Sequence, residues 1–228
     1  MKEHELHNYK LVLQYEGIRY NGWQKQKNQE NTIQEVVENA VFDGTGERVE
    51  VIGSGRTDAG THAMGQVANV KLGQDLEPER LMDNINKHLP SDIKILECEK
   101  VDNRFHARLN AKAKTYMYTL CVGKKPDVFN RRTVLHYCAD LDVNAMKKAA
   151  EYLKGEHDFM SFCSNKRTKK STVRKIYDIE IIKDGDEISF IFKGNGFLYN
   201  MVRILTGTLV EVGLGKTNPD DMPKILEA

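Results

Sequence analysis

The glycine-rich segment at residues 53–63 places a guanidinium, on Arg56, two residues before a carboxylate, on Asp58. A turn requires neither group, whereas an ionised carboxylate can act as a nucleophile or as a base. Flanking strands would hold such a loop rigidly. A glycine-rich turn with an incidental ion pair is the alternative that this segment alone leaves open.

Two nucleotide-binding motifs fit this segment poorly. Gly55 and Gly60 have the spacing of a phosphate loop, but the sequence continues with Thr61-His62. The lysine and the hydroxyl residue that such a loop uses for phosphate and Mg²⁺ are therefore absent. The dinucleotide pattern also fails, because Asp58 stands where its third glycine belongs.

The net charge of +1 conceals segregated charges. Residues 104–132 hold eight Lys or Arg against one Asp, and residues 166–175 hold six bases and no acid. Residues 75–102 hold eight carboxylates against four bases. This distribution favours one phosphate-binding face, although each basic stretch could equally be a solvated surface.

Two further residues could serve a nucleic-acid site. Tyr116 shares a strand face with Tyr118 beside the basic stretch, so its ring could support an unstacked base or simply pack in the sheet. Arg203 adjoins an apolar stripe in a predicted helix. A buried guanidinium needs a carboxylate, and Asp58 is the candidate partner.

Nothing in the sequence indicates a metal site or a membrane segment. The histidines lack metal-ligand spacing and the four cysteines form no CxxC pair, which predicts reduced thiols. No apolar run is long enough to span a bilayer, and residues 1–7 have no signal core. We therefore predict a cytoplasmic protein that binds neither membrane nor metal.

Hydrophobic periodicity predicts two similar α/β halves. The first reads β-α-β-β-α-β: strands at 9–15, 48–52, 66–72 and 93–101, a helix capped by Thr32 running to about Phe42, and a helix from Pro78 to Leu89. The second reads β-α-β-β-α: strands at 114–122, 174–183 and 187–193, with helices at 143–153 and 197–212. The second half is thus predicted to be one strand short.

These motifs together resemble the tRNA pseudouridine synthase A family over nearly the whole chain. The matching residues are Tyr15-Glu-Gly-x3-Asn-Gly-Trp-Gln24, Thr32-Ile-Gln34, Gly55-Arg-Thr-Asp-Ala-Gly-x-His-Ala63, Asn86-x-x-Leu-Pro90, Phe105-His-Ala-Arg108, Tyr116-x-Tyr118, Gly155-x-His-Asp-Phe-x-Ser-Phe162 and Gly196-Phe-Leu-Tyr-Asn-Met-Val-Arg203. Thr61 stands where the family usually has valine, a near-isosteric change that should be tolerated.

The resemblance implies an α+β pseudouridine synthase fold with antiparallel or mixed sheets and an active-site cleft between two halves, at residues 1–108 and 109–228. It implies a homodimer that isomerises uridine at positions thirty-eight to forty of the tRNA anticodon stem-loop, without cofactor or metal. The family pattern normally continues into a basic segment and a final strand beyond residue 228, so the chain is expected to be incomplete.

The resemblance also assigns roles to residues. Asp58 matches the catalytic aspartate, and Arg56 matches the arginine that fills the space left by the flipped nucleotide. Tyr116 matches the tyrosine that stacks on the target base, and Arg203 matches the arginine that pairs with the aspartate.

The basic stretches supply further candidates for substrate binding, namely Arg108, Lys169 and Lys170. Two rival functions remain open from the sequence. One is a non-catalytic RNA-binding module, and the other is a nucleotide-binding or hydrolytic enzyme.

Overall fold

The computed structural model describes residues 6–26, 30–165, 167 and 169–228. The chain divides into two compact units, unit 1 at Met1–Ala111 and unit 2 at Lys112–Ala228. Within the described ranges, unit 1 has a sheet of four antiparallel strands and unit 2 a mixed sheet of five. The predicted α+β class is confirmed.

The strands and helices of unit 1 are β1 at His7–Tyr15, β2 at Ile52–Gly53, β3 at Ala63–Leu72, β4 at Ile93–Val101, α1 at Ile33–Thr45 and α2 at Pro78–Asn86. The sheet order is β2-β3-β1-β4, which puts the first strand in the interior between two strands that follow much later. Alternate residues of that strand, from Tyr9 to Tyr15, face the helices and are buried.

The capping prediction for α1 is confirmed. Thr32 accepts a hydrogen bond from the backbone N–H of Glu35 at the start of the helix. The helix passes through Gly44 and ends at Gly46, whose φ of 80° is the left-handed conformation of a C-cap. It is therefore a turn longer than predicted.

The strand predicted at residues 48–52 is mostly absent, and only Ile52–Gly53 pairs with β3. Side chains of α1 take the place of a strand partner for Val51. Its N–H donates to Glu38 (3.2 Å) and its carbonyl accepts from Gln34 (3.1 Å). The β3 strand begins three residues earlier than predicted.

The strands of unit 2 are β5 at Lys114–Cys121, β6 at Leu135–His136, β7 at Gly155–Asp158, β8 at Val173–Asp184 and β9 at Glu187–Gly194. The sheet order is β6-β5-β9-β8-β7. The hairpin of β8 and β9 agrees with the prediction. The edge strands β6 and β7 are not predicted, because they have only two and four residues.

The helices of unit 2 are α3 at Val143–Glu151, α4 at Met201–Gly213 and α5 at Met222–Leu226. Asp142 caps α3 as predicted, accepting from two backbone N–H groups. The prediction that α4 begins at Phe197 is wrong. Asn200 has a φ of 59°, a left-handed conformation that separates the preceding turn from the helix.

Both units pack their helices against a sheet face to form separate apolar cores. All four cysteines are free thiols, as predicted. In the described part of the chain, no helix is long and apolar enough to cross a membrane.

Candidate active site

The segment that carries Asp58 is the connection between β2 and β3, and it is tied to β3 at its start. The N–H of Ser54 donates to the carbonyl of Val67 (2.7 Å), and the Gln66 amide donates to the carbonyl of Gly55 (2.7 Å). The Ser54 hydroxyl in turn donates to the Gln66 side-chain oxygen (3.1 Å). The loop therefore leaves the sheet in a defined direction.

A second segment, residues 15–24, holds the middle of the loop through three hydrogen bonds. The Trp23 N–H donates to the carbonyl of Thr57 (3.0 Å), and the Gly60 N–H donates to the carbonyl of Tyr20 (3.2 Å). The hydroxyl groups of Tyr15 and Thr57 lie 2.9 Å apart. Because two of these bonds use backbone atoms on both sides, they fix the chain itself.

Close packing explains two glycines of the site. A Cβ at Gly53 would lie 2.5 Å from the ring of Trp23, which is almost fully buried. Gly22 has a φ of +81°, and a Cβ there would lie 2.5 Å from the carbonyl of Thr57. Any side chain at either position would displace the loop or the segment that holds it.

Asp58 lies in the turn of this loop, where its carbonyl accepts from the N–H of Thr61 (3.1 Å). Its side chain is half-buried. The backbone is fixed on both sides of Asp58, since Thr57 before it and Gly60 two residues after it bind residues 20–23. The loop thus presents a carboxylate from a rigid backbone, which is what a group acting on a reacting atom needs.

Arg56 is exposed but its guanidinium is oriented by a chain of side-chain amides. Its Nε donates to Gln24 (3.0 Å), whose amide donates to Gln34 (2.7 Å). Gln34 is 4% exposed and donates onward to Glu38 (3.0 Å) on α1. We call this the Gln24–Gln34 chain. Both glutamines lie within the family motifs, but the sequence pattern assigns them no role, because their contacts span up to 32 residues.

Asp92 binds the first part of the segment at residues 15–24, through residues 16, 19 and 20. It accepts from Tyr20 (2.7 Å) and Arg19 (2.9 Å), and its carbonyl accepts from the N–H of Glu16 (2.9 Å). Burial alone would raise the pKa of Asp92, but the bonds from Tyr20 and Arg19 to its carboxylate outweigh burial and lower that pKa below its ordinary value. Burial, followed by the bond to Asp92, raises the pKa of Tyr20 to about 12.

Tyr116 lies on β5 of unit 2, half-buried on the sheet face that meets the core. Its ring packs edge-to-face against Phe197, with centroids 5.2 Å apart. Phe197 itself packs against the core of unit 2. The structure therefore supports the Tyr116 ring from one side, as an aromatic platform requires.

Arg203 lies in the first turn of α4 and is exposed, so the predicted burial of its guanidinium is wrong. The helix buries Met201 and Leu205, and Arg203 lies two residues from each. At about 100° per residue it points away from that stripe. Its pairing with Asp58 stays a prediction.

Arg108 is exposed at the end of a segment that two buried asparagines anchor. The Asn8 amide donates to the carbonyls of Asp102 and Phe105, both at 2.9 Å. Asn69 accepts from the N–H of Ala107 (2.9 Å) and donates to Asn8 (3.0 Å). No sequence pattern points to either asparagine, both of which are 1% exposed.

Lys169 and Lys170 are exposed in unit 2. Lys166, which belongs to the same predicted basic stretch, lies outside the described residues. Across the ranges that the structure does describe, no group of three or more His, Cys, Asp or Glu could hold a metal ion.

Comparison with known proteins identifies the scaffold. A family model described as tRNA pseudouridine synthase matches residues 11–110 and 149–228, which include Asp58 and Arg203. The chain belongs to the tRNA pseudouridine synthase family. It is therefore an isomerase by family.

Individual relatives agree with this membership in the family. The chain is 44% identical to tRNA pseudouridine synthase A 2 of Bacillus cereus (strain ATCC 10987 / NRS 248) over 98% of its own length and 91% of the relative's. It is 45% identical to tRNA pseudouridine synthase A of Bacillus sp. (strain KSM-64), with the same coverage. Identity to tRNA pseudouridine synthase A of Brevibacillus brevis is 46%, over 96% of this chain and 89% of that protein.

Proposed function

We propose that this chain isomerises uridine to pseudouridine at positions thirty-eight to forty of the tRNA anticodon stem-loop, with Asp58 as its catalytic residue. The observation that carries the proposal is the loop at residues 54–62, held on both sides so that its turn presents a carboxylate. Relatives named tRNA pseudouridine synthase A support tRNA as the substrate.

The reaction breaks the C1′–N1 bond, rotates the uracil and forms a C1′–C5 bond, so no atom is gained or lost. The base must leave the helical stack first, at a cost of a few kcal/mol. Arg56 offsets part of this cost by occupying the vacated space, which the Gln24–Gln34 chain favours by orienting its guanidinium. Tyr116 offsets more by stacking on the uracil, at about 1–3 kcal/mol.

Asp58 acts in its ionised form, which both nucleophilic and base catalysis require. Arg203 pairs with it and favours that form. The exposure of Arg203 leaves its guanidinium accessible to a carboxylate or to RNA. In this proposal residues 1–108 carry the aspartate loop, and residues 109–228 contribute Tyr116 and Arg203.

Arg108, Lys169 and Lys170 contact the phosphates of the tRNA. All three side chains are exposed, and the backbone before Arg108 is held by Asn8 and Asn69. The enzyme acts as a cytoplasmic homodimer.

The test is incubation of the chain with unmodified tRNA, followed by mapping of pseudouridine along the anticodon arm. Asp58→Asn keeps the size of the side chain but removes its charge. It should bind tRNA normally and form no pseudouridine. The control is Asp43→Asn on an exposed face of α1, which should retain full activity. Product from Asp58→Asn at the wild-type rate would contradict the assignment.

A further inference from the structure

The loop between β5 and β6 exposes an aromatic ring more fully than any other large apolar side chain that the structure describes. Phe129 is 93% exposed and its neighbour Val128 is 60% exposed. A scattered exposed leucine needs no explanation, but two adjacent apolar residues at a loop tip gain nothing from the fold. We call residues 123–134 the Phe129 loop.

Hydrogen bonds within the Phe129 loop determine its conformation. The Asp127 carboxylate accepts from the N–H of Phe129 (2.9 Å), and the Arg131 guanidinium donates to the carbonyl of Val128 (2.7 Å). The carbonyl of Asn130 accepts from the N–H groups of the next turn, at 2.9 and 3.0 Å. The ring is therefore presented outward by an ordered turn.

The base of the loop is attached to the sheet. The Asn130 amide donates to Glu187 (3.1 Å) at the start of β9, and the His136 ring donates to the carbonyl of Gly123 (2.7 Å). Because β5 and β6 pair in parallel, the chain between them must return to the start of β6 and cannot reverse in a tight hairpin turn. The ring lies at the end of a loop fixed at both ends.

The charge of the loop selects the kind of partner. It contains four cations and one anion, and that anion, Asp127, already binds a backbone N–H. The cations are exposed and comprise Lys124, Lys125, Arg131 and Arg132. In a twofold dimer formed through this loop, the patch would face itself and bring like charges together. A polyanion with exposed aromatic bases matches both the ring and the cations.

We propose that the Phe129 loop is a second contact surface for the tRNA substrate, outside the loop that carries Asp58. Phe129 stacks on an unpaired base of the RNA, and Lys124 and Lys125 contact neighbouring phosphates. This inference rests on the proposed function for its choice of RNA, but it concerns affinity rather than the reaction.

The test is equilibrium binding of unmodified tRNA to the full-length chain and its variants. Phe129→Ala should weaken binding about 5- to 160-fold, the loss expected for one base stacked on an aromatic ring. Phe129→Tyr should bind tRNA with an affinity within about twofold of the wild type, because it keeps the aromatic ring. Leu96→Ala, which trims an apolar side chain that is 42% exposed in the acidic segment, is the matched control and should have no effect.

A second measurement separates the cations from the ring. Changing both Lys124 and Lys125 to alanine should lower the slope of log affinity against log salt by about 0.7–0.9 for each phosphate that the variant no longer neutralises. Phe129→Ala should leave that slope unchanged.

Two results would overturn the inference. One is tRNA binding by Phe129→Ala at wild-type affinity. The other is a smaller particle mass for Phe129→Ala by light scattering, which would assign the ring to contact with a second copy. Failure of the proposed function is recognised separately, as a wild-type chain that binds tRNA and forms no pseudouridine.

Discussion

The two units carry their candidate residues in different ways. Unit 1 presents Asp58 and Arg56 on a loop, and a neighbouring segment, a tryptophan and two glutamines hold that loop. Unit 2 presents Tyr116 on a strand and Arg203 on a helix, where the ladder and the helix themselves position the backbone. A loop needs added contacts to reach the precision that regular structure already has, so substitutions remote from the chemistry should affect unit 1 more.

Apart from a substitution of Asp58 itself, the strongest test of this difference is Gly53→Ala. The added methyl group would overlap the Trp23 ring, so the loop must shift. We expect about 10²-fold lower kcat/KM, because small displacements of a catalytic group are costly, together with about 1–3 kcal/mol lower stability. Pseudouridine formation and thermal unfolding measure the two effects.

The control for Gly53→Ala is Gly65→Ala on β3 of the same sheet. A Cβ there would meet its nearest atom at 3.8 Å, an ordinary contact. Equal activity losses for both variants would show that the loop is no more sensitive to an added methyl group than a regular strand, which would contradict the difference drawn between the units.

The corresponding test in unit 2 compares kcat/KM for Tyr116→Leu, which lacks the aromatic ring, with kcat/KM for Tyr116→Phe, which keeps it. Loss of the ring should lower kcat/KM about 5- to 160-fold, the range expected for a stacked base. The phenylalanine variant keeps both the ring and its edge contact with Phe197, and should stay near wild-type activity. A large loss for Tyr116→Phe would instead assign the function to the hydroxyl group.

The Gln24–Gln34 chain predicts a smaller effect. Gln24→Ala removes the acceptor of the Arg56 Nε, and we expect kcat/KM to fall about tenfold, since a hydrogen bond to a charged group contributes about 1.5–3 kcal/mol and Arg56 is exposed. Gln24→Glu keeps an acceptor and should recover part of the activity. Gln14→Ala, exposed on β1, is the control. A Gln24→Ala variant as active as that control would show that Arg56 needs no such orientation.

Asp92→Asn should have the smallest effect, about 1 kcal/mol of stability at pH 7, from weaker bonds to Tyr20 and Arg19. Because the folded-state pKa of Asp92 lies below its unfolded value, its contribution is present above the unfolded pKa and is lost as pH falls through the folded pKa. The stability difference between wild type and variant should therefore shrink below about pH 4. A difference that grows in acid, measured by denaturant titration, would refute this sign.

Local patterns predicted much of the fold. The α1 cap at Thr32, the α3 cap at Asp142 and the bounds of β4 agree with the structure, because each depends on residues close in sequence. The predicted strand is absent over residues 48–51, because the contacts of this segment are with residues distant in sequence. Its partners are the side chains of Gln34 and Glu38, and no local pattern encodes that replacement of a strand.

The same distinction applies to the site. The Arg56 and Asp58 pair was visible because its residue types are unusual for a turn. The residues that hold this pair, such as Trp23 and Gln24, lie about 30 positions away and gave only the weak signal of a single tryptophan among glycines. The predicted burial of Arg203 was wrong for a different reason. The helical spacing that predicted α4 already places Arg203 on the opposite side of the helix from Met201 and Leu205.

The buried Asn8 and Asn69 pair has a consequence for synthesis. Asn8 emerges from the ribosome first, but its amide binds carbonyls of Asp102 and Phe105, and Asn69 binds the N–H of Ala107. At about 5–20 residues per second, the Asn8 amide waits about 5–20 s for its partners and the Asn69 amide about 2–8 s. For most of that interval the first strand lacks at least one of its two neighbours in the sheet, because β4 begins only at Ile93. Unit 1 can thus close only when its last residues emerge, which makes that interval the time at which a chaperone would be most needed.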